Sequence, residues 1–338
     1  MAFGAADQTV VPLSVELGTI PHRPPAAQNA GWRRLFNRAS FHALNVRDGQ
    51  QPFFTEIHDE AGHPLGGVSG VRDGDTFLSG YSAPFGGFDF LKDGETSENI
   101  SRVVLESVRQ IEAAGVHAIR LKLPPACYSR NEGMVQFTLL NAGFSVERCE
   151  LNQHLPVADW QSTDDFVAGL RSPAQKTLRH LMTQDLQFQQ VFDDERCDRV
   201  HELLAQNRIR KGRRFALSRE YLAKARENLR PDVGMFELVH RDTPVAAALV
   251  YRVAPGRELV VAWGDAEHQL KRSPMILLAY RLVQRCLAEG VGVLDLGISN
   301  EPEARDAGGL EPNFGLVQFK RTLLARIEPR FTMVRVNR

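Results

Sequence analysis

From Pro52 onward, apolar and polar positions alternate in short runs, Pro52–Asp59, Pro64–Asp73 and Asp75–Ser82. Turn residues such as Asp59-Glu60-Ala61-Gly62 and Asp73-Gly74 separate them. Period-2 alternation between such breaks predicts strands. A loop rich in Gly and Phe, Ala83–Phe90, follows, and then the period changes. Val104, Val108, Ile111 and Ala114 recur at helical spacing behind Ser97, and Gly115 stands where a helix stops. Strand His117–Leu123 is halted by Pro124-Pro125. A shorter helix around Met134–Ala142 ends at Gly143, and Phe144–Val157 reads as another strand.

Two helical segments open the second half, and Ser172-Pro173 gives the latter a cap and a first-turn proline. Strand Leu186–Phe192 leads to a helix over about Asp194–Arg210, and Ser218 caps another that runs to about Leu229. From Val233 the earlier order returns. Strand Val233–His240, the turn Arg241-Asp242-Thr243 and strands Pro244–Val253 and Glu258–Asp265 precede a helix from Ser273-Pro274 to Glu289. Gly290 and strand Val291–Gly297 close the series. Each half thus reads strand–turn–strand–strand–loop–helix–Gly–strand. Pro64-Leu65-Gly66-Gly67 corresponds to Pro244-Val245-Ala246-Ala247 at an offset of 180, and Gly115 to Gly290 at 175. This predicts an internal duplication.

The 338 residues suit two domains. Residues 1–30, rich in Pro, Ala and Gln, read as a leading strand or ordered tail, with domains expected over 31–160 and 161–338. Lys+Arg and Asp+Glu are 41 each, which removes non-specific duplex DNA as a partner of the whole molecule. The balance hides two unlike halves: residues 1–164 carry a net −6 and residues 165–338 a net +6. Cys127, Cys149, Cys197 and Cys286 are far apart, without CxxC pairs, and read as reduced thiols. No basic start with an apolar core opens the chain, and its longest apolar run, Pro244–Tyr251, is far short of a membrane span. A cytoplasmic protein with no transmembrane segment is expected. No P-loop, HExxH or GxSxG is present, and the ten histidines show no metal-ligand spacing, so no metal is expected.

The strand–loop–helix passage through Ser273-Pro274 offers free first-turn N–H groups to a phosphate, with Lys271 and Arg272 beside it. A well-capped core helix would read the same way. The second half resembles an acyltransferase domain of the GNAT superfamily, in the branch related to FemAB peptidoglycan-bridge aminoacyltransferases. It is still more similar to acyltransferases of exopolysaccharide and cellulose gene clusters. Thr243–Ala247, Trp263-Gly264-Asp265, Ser273-Pro274-Met275, Gly290, Leu294-Asp295-Leu296-Gly297, and Asn313–Leu316 leading to Phe319-Lys320 carry the resemblance. The first half resembles a degenerate companion domain, with Glu95-Thr96-Ser97 lacking the proline and Arg120 in the place of Asp295.

The resemblance implies an α/β (α+β) fold of two tandem GNAT-like domains, each a mixed, mostly antiparallel sheet flanked by helices. It implies a donor arm between splayed strands and an acyl group moving from acyl-CoA or an acyl carrier protein, with acyl-CoA a co-substrate and no bound cofactor. The acceptor would be an amine or hydroxyl of a sugar or cell-envelope precursor. Lys271, Arg272, Ser273 and Met275 would meet the donor. Asp295, at a strand end, would take the acceptor's proton or bond loop amides, with His268 and Asp265 as further bases. Lys320 matches the lysine of the FemAB-type Phe-Lys motif, where it would meet substrate phosphate or an oxyanion, against a solvated helix lysine. Trp263 would meet substrate, as would Ser299, Asn300 and Asn313, which border the Gly-rich and acidic loop 297–313 expected to line the cleft. Among the cations of Arg208–Arg214, Arg210 and Arg213 would face a phosphate-rich substrate, as would Arg179, or form a solvated patch. Tyr81 would wall an acceptor pocket or pack between domains. An aminoacyltransferase using aminoacyl-tRNA and a non-catalytic binding protein of envelope synthesis are the alternatives.

Overall fold

The computed structural model describes residues 32–267, 270–301 and 311–336. The tail at 1–30, His268 and most of the loop after Asn300 lie outside them. Among the described residues thirteen strands form one mixed sheet with nine α-helices packed on it. The first half runs α1 (Ala39–Asn45), β1 (Gln50–Phe54), β2 (Ile57–His58), β3 (Pro64–Asp73), β4 (Thr76–Ser79), β5 (Phe88–Phe90), α2 (Ser97–Ala113), β6 (Ala118–Lys122), α3 (Glu132–Asn141) and β7 (Ser145–Leu155). The second runs α4 (Thr163–Gly169), α5 (Ser172–Met182), β8 (Leu186–Val191), α6 (Asp194–Arg210), α7 (Arg219–Asn228), β9 (Val233–His240), β10 (Thr243–Ala254), β11 (Arg257–Asp265), α8 (Met275–Ala288), β12 (Val293–Ile298), α9 (Phe314–Thr322) and β13 (Arg326–Val336).

Local chemistry sets these bounds. The Thr96 hydroxyl caps α2 by accepting from Asn99 N, and Asp193 and Ser218 cap α6 and α7 in the same way. Gly115 and Gly290 follow α2 and α8 with φ of 77° and 69°, the left-handed geometry that ends a helix. Helix α1 and strand β13 are not among the elements the pattern predicts, Ser172 is the first residue of α5 and not its cap, and two further elements differ from the sequence reading. The loop Ala83–Phe90 ends as strand β5, pairing with β3 through Phe88 and Phe90. Helix α8 begins at Met275, with Pro274 as its cap residue and no capping side chain.

The pairing repeats in the two halves. β1, β3 and β4 are antiparallel neighbours and β4 is parallel to β6; β9, β10 and β11 are antiparallel and β11 is parallel to β12. Arg120 opposes Leu78 as Asp295 opposes Leu259. Beyond this the halves exchange strands. β13 inserts between β6 and β7, and β7 pairs with β12. Chain pairing therefore crosses the 160/161 position in both directions. Leu294 and Leu296 of β12 point into the core formed with α8, so Asp295 between them faces the opposite side, toward Tyr128. No helix among the described residues is long and apolar enough to cross a membrane.

Candidate active site

β11 and β12 hydrogen-bond only where Arg257–Leu259 face Val293–Asp295. Past these pairs β11 stays with β10 while β12 continues along β7, so the parallel strands part. The start of α8 lies at this opening. Ser273 Oγ donates to Asp265 Oδ2 at 2.8 Å and stands 3.5 Å from Met275 N. Arg210 Nη2 meets Asp265 O at 2.9 Å and Oδ1 at 3.1 Å, and Asn207 Nδ2 reaches the same two oxygens. Arg210, Asp265, Arg272, Ser273 and Pro274 line a cavity of about 230 Å³. Gly264 is fitted to this contact, since a Cβ there would lie 2.5 Å from Asn207 Cγ.

Behind the opening, at the end of β12, lies a buried polar cluster. Gly297 adopts φ of 70°, which turns its own carbonyl and that of Ile298 toward Lys320. Lys320 Nζ donates to them at 2.7 and 3.1 Å. Its side chain is buried, so it is no solvated helix lysine. Burial lowers its pKa from 10.5 to about 7, against the pull of Asp295 and with the help of Arg208 and Arg330. Asp295 Oδ1 accepts from Asn152 Nδ2 at 2.9 Å and Gly297 N at 2.8 Å, while Oδ2 is buried without a hydrogen bond. Burial raises the Asp295 carboxyl, opposed by those two bonds and by Lys320. The Tyr128 phenol, wholly buried nearby, is raised by burial and by the Asp295 charge. Arg330 pairs with Glu150 within the same layer.

The other predicted residues divide. Ser299 is buried and donates to Gln153 Oε1 at 2.7 Å; Asn300 Oδ1 accepts from Leu151 N at 2.8 Å. Asn313 caps α9 through Leu316 N and ties its own amide to Ser299 O, so these three brace the loop that holds Lys320. Trp263 packs on Phe319, with ring centroids 5.7 Å apart. The Met275 side chain is buried in the core, and its backbone N–H faces Ser273 Oγ at 3.5 Å. Lys271 is exposed, and Arg272 contacts Thr177 Oγ1. Arg213 pairs with Glu301, and exposed Arg179 with Gln175 on its own helix. Tyr81 stacks on His42, within the first half. His268 lies outside the described residues.

Two groups escaped the sequence reading. Arg208 was passed over within its basic run for Arg210, yet its largely buried side chain has no hydrogen-bond or ion-pair partner among the described residues, and it acts on Lys320. Asn152, Gln153 and His154 stand together on β7, all buried. Three consecutive polar residues between Leu151 and Leu155 were the available signal.

Residues 169–305 match the family model described as an acetyltransferase (GNAT) domain. The matched segment is similar to a GNAT domain. The expectation of a transferase holds on this match, and β11, β12 and the start of α8 fall inside it. No protein of curated function matches the sequence. Among solved structures, FemX aligns over 93% of this chain and 93% of its own, with TM-score 0.65 and 10% identity. The C-terminal domain of a protein described as a lysylphosphatidylglycerol synthetase from Agrobacterium fabrum aligns over 83% and 84%, with TM-score 0.51 and 14% identity. L-PGS from Bacillus licheniformis aligns over 83% of both chains, with TM-score 0.52 and 11% identity. At such identities the likeness is one of fold. It extends beyond the matched segment to both halves, and the expected α/β FemAB-like architecture holds.

Proposed function

We propose that the chain transfers an acyl group from acyl-CoA, or from an acyl carrier protein, to an amine or hydroxyl on a sugar or cell-envelope precursor. The parting of β11 and β12 carries this reading, because it leaves unpaired strand backbone beside the start of α8, where the cap residue Pro274 offers no side-chain bond and Ser273 Oγ reaches only one amide, Met275 N, at 3.5 Å. A thioester arm seated there can pair with the strand while its phosphates meet the α8 N–H groups, Arg272 and Lys271. The acyl–sulfur bond breaks as an acyl–nitrogen or acyl–oxygen bond forms, and the acceptor's proton ends on the released thiol. Such a reaction needs placement and charge stabilisation more than covalent help from the protein.

Arg208, with Lys320 in its protonated form below its lowered pKa, supplies positive charge at the end of β12 for an acceptor phosphate or the developing oxyanion. Asp295 holds the charge on Lys320, and Asn152 and Gly297 hold Asp295. Acyl-CoA as co-substrate fits action in the cytoplasm.

Thermal unfolding in the presence of CoA, acetyl-CoA and a longer acyl-CoA tests the donor. A ligand at 100 times its Kd adds about 2.7 kcal/mol of stability. The expected shift is lost in Ser273→Asp, which sets a second carboxylate beside Asp265 at the helix start. No shift with any of the three removes CoA as donor. A shift with charged tRNA instead, falling steeply with salt, would favour aminoacyl transfer.

A further inference from the structure

Between the central strands, next to Asp295, three side chains far apart in sequence converge. Cys127 lies in the turn after β6, His154 on β7 and Glu328 on β13. A sulfur, a ring nitrogen and a carboxylate oxygen, one from each, all lie within 4.8 Å of one another. His154 is buried, and the other two are partly so. His154 Nδ1 stands 3.0 Å from Glu328 Oε1, yet this buried nitrogen has no hydrogen-bond partner of acceptable geometry. Nitrogen and oxygen are thus close without being aimed at each other, as two ligands aimed at a common third point would be. The Cys127 amide donates to both Glu328 oxygens, at 3.1 and 3.3 Å, which fixes the carboxylate beside the thiol.

We propose that Cys127, His154 and Glu328 bind a divalent metal ion of the zinc class. Zinc–ligand bonds of about 2.0–2.3 Å in a tetrahedron place neighbouring ligand atoms roughly 3.3–3.7 Å apart, within the span of this cluster. A thiolate with an imidazole selects against magnesium and calcium, which take oxygen ligands. On binding, the Cys127 thiol releases its proton to solvent and its sulfur bonds the metal, so affinity falls as pH falls. Three protein ligands leave one position for water. The ligands come from a first-half turn and from the two exchanged strands, so the ion ties together the place where the halves cross.

The test uses the full chain, stripped with a chelator, dialysed and titrated with Co²⁺. One equivalent should produce a thiolate-to-cobalt charge-transfer band in the near ultraviolet, and Zn²⁺ should bleach it. Cys127→Ser should abolish the band, while Cys149→Ser, outside the cluster, keeps it. His154→Asn and Glu328→Gln should each weaken cobalt binding by more than about tenfold. Absence of the band in the unaltered chain overturns the proposal without any variant having to fold. So does a band that survives Cys127→Ser or disappears in Cys149→Ser.

Discussion

Lys320 offers a quantitative test, because burial lowers its pKa from 10.5 to about 7. Between those values the unfolded chain keeps the lysine proton and the folded chain does not. The unfolded state then binds more protons, so stability rises with pH across that window, by about 1.4 kcal/mol per pH unit. From pH 7 to pH 9 the rise from this one group is about 2–3 kcal/mol. Lys320→Met keeps an unbranched chain of similar length and removes the titration. Urea unfolding at pH 6, 7, 8 and 9 should show the unaltered protein gaining about 2–3 kcal/mol on the variant between pH 7 and 9, and nothing below. Asp295 acts with the opposite sign: its carboxyl is raised above 3.8, so its contribution falls as pH rises through that folded value. Asp295→Asn in both backgrounds separates the two. The two groups share no direct bond and act on each other through charge alone, so the double variant reports their coupling as the departure from additivity. Parallel pH profiles for the unaltered protein and Lys320→Met would refute the reasoning.

Three further outcomes follow from the same physics. Gly264→Ala should cost about 1–3 kcal/mol in urea unfolding and weaken CoA-dependent stabilisation, since the new methyl displaces Asn207 from Asp265. Burial raises the Glu132 carboxyl from 4.5 to about 8, so its contribution to stability falls as pH rises through that window. Glu132→Gln should therefore lose that slope and match or exceed the unaltered protein in thermal unfolding at pH 8.5. Arg208→Gln should leave stability within about 0.5–1 kcal/mol, because it removes a desolvated cation without an ion-pair partner among the described residues, while transfer activity falls more than tenfold. Loss of fold in that variant would place Arg208 in the scaffold.

Most elements were legible because periodicity and caps agree. Thr96, Asp193 and Ser218 each precede a run at helical spacing, and Gly115 and Gly290 each follow one. β5 was not legible, since three residues inside a Gly- and Phe-rich loop are too few to show alternation. Nor was the exchange of β7 and β13: alternation marks a strand, but neighbours are chosen by the surfaces that meet after folding. For the site, Lys320 and Asp295 stood out by their place at a strand end and in a Phe-Lys step. The preference for Arg210 over Arg208 could not be decided from five cations in seven positions. Only the fold brings Asp265 against Arg210 and leaves Arg208 to act on Lys320.

The exchanged strands also impose an order of events during synthesis. When β6 and β7 leave the ribosome, the place between them is empty, and the strand that fills it begins at Arg326, about 170 residues later. At roughly 5–20 residues per second, those two edges wait on the order of 10–30 s with their backbone groups unpaired. Unpaired edges recruit other chains, and charged side chains are the usual defence. Arg120 on β6, with Glu147 and Arg148 on β7, provides such charges. The nascent first half is thus a held-open acceptor for β13, while β12, made earlier, joins the other edge of β7.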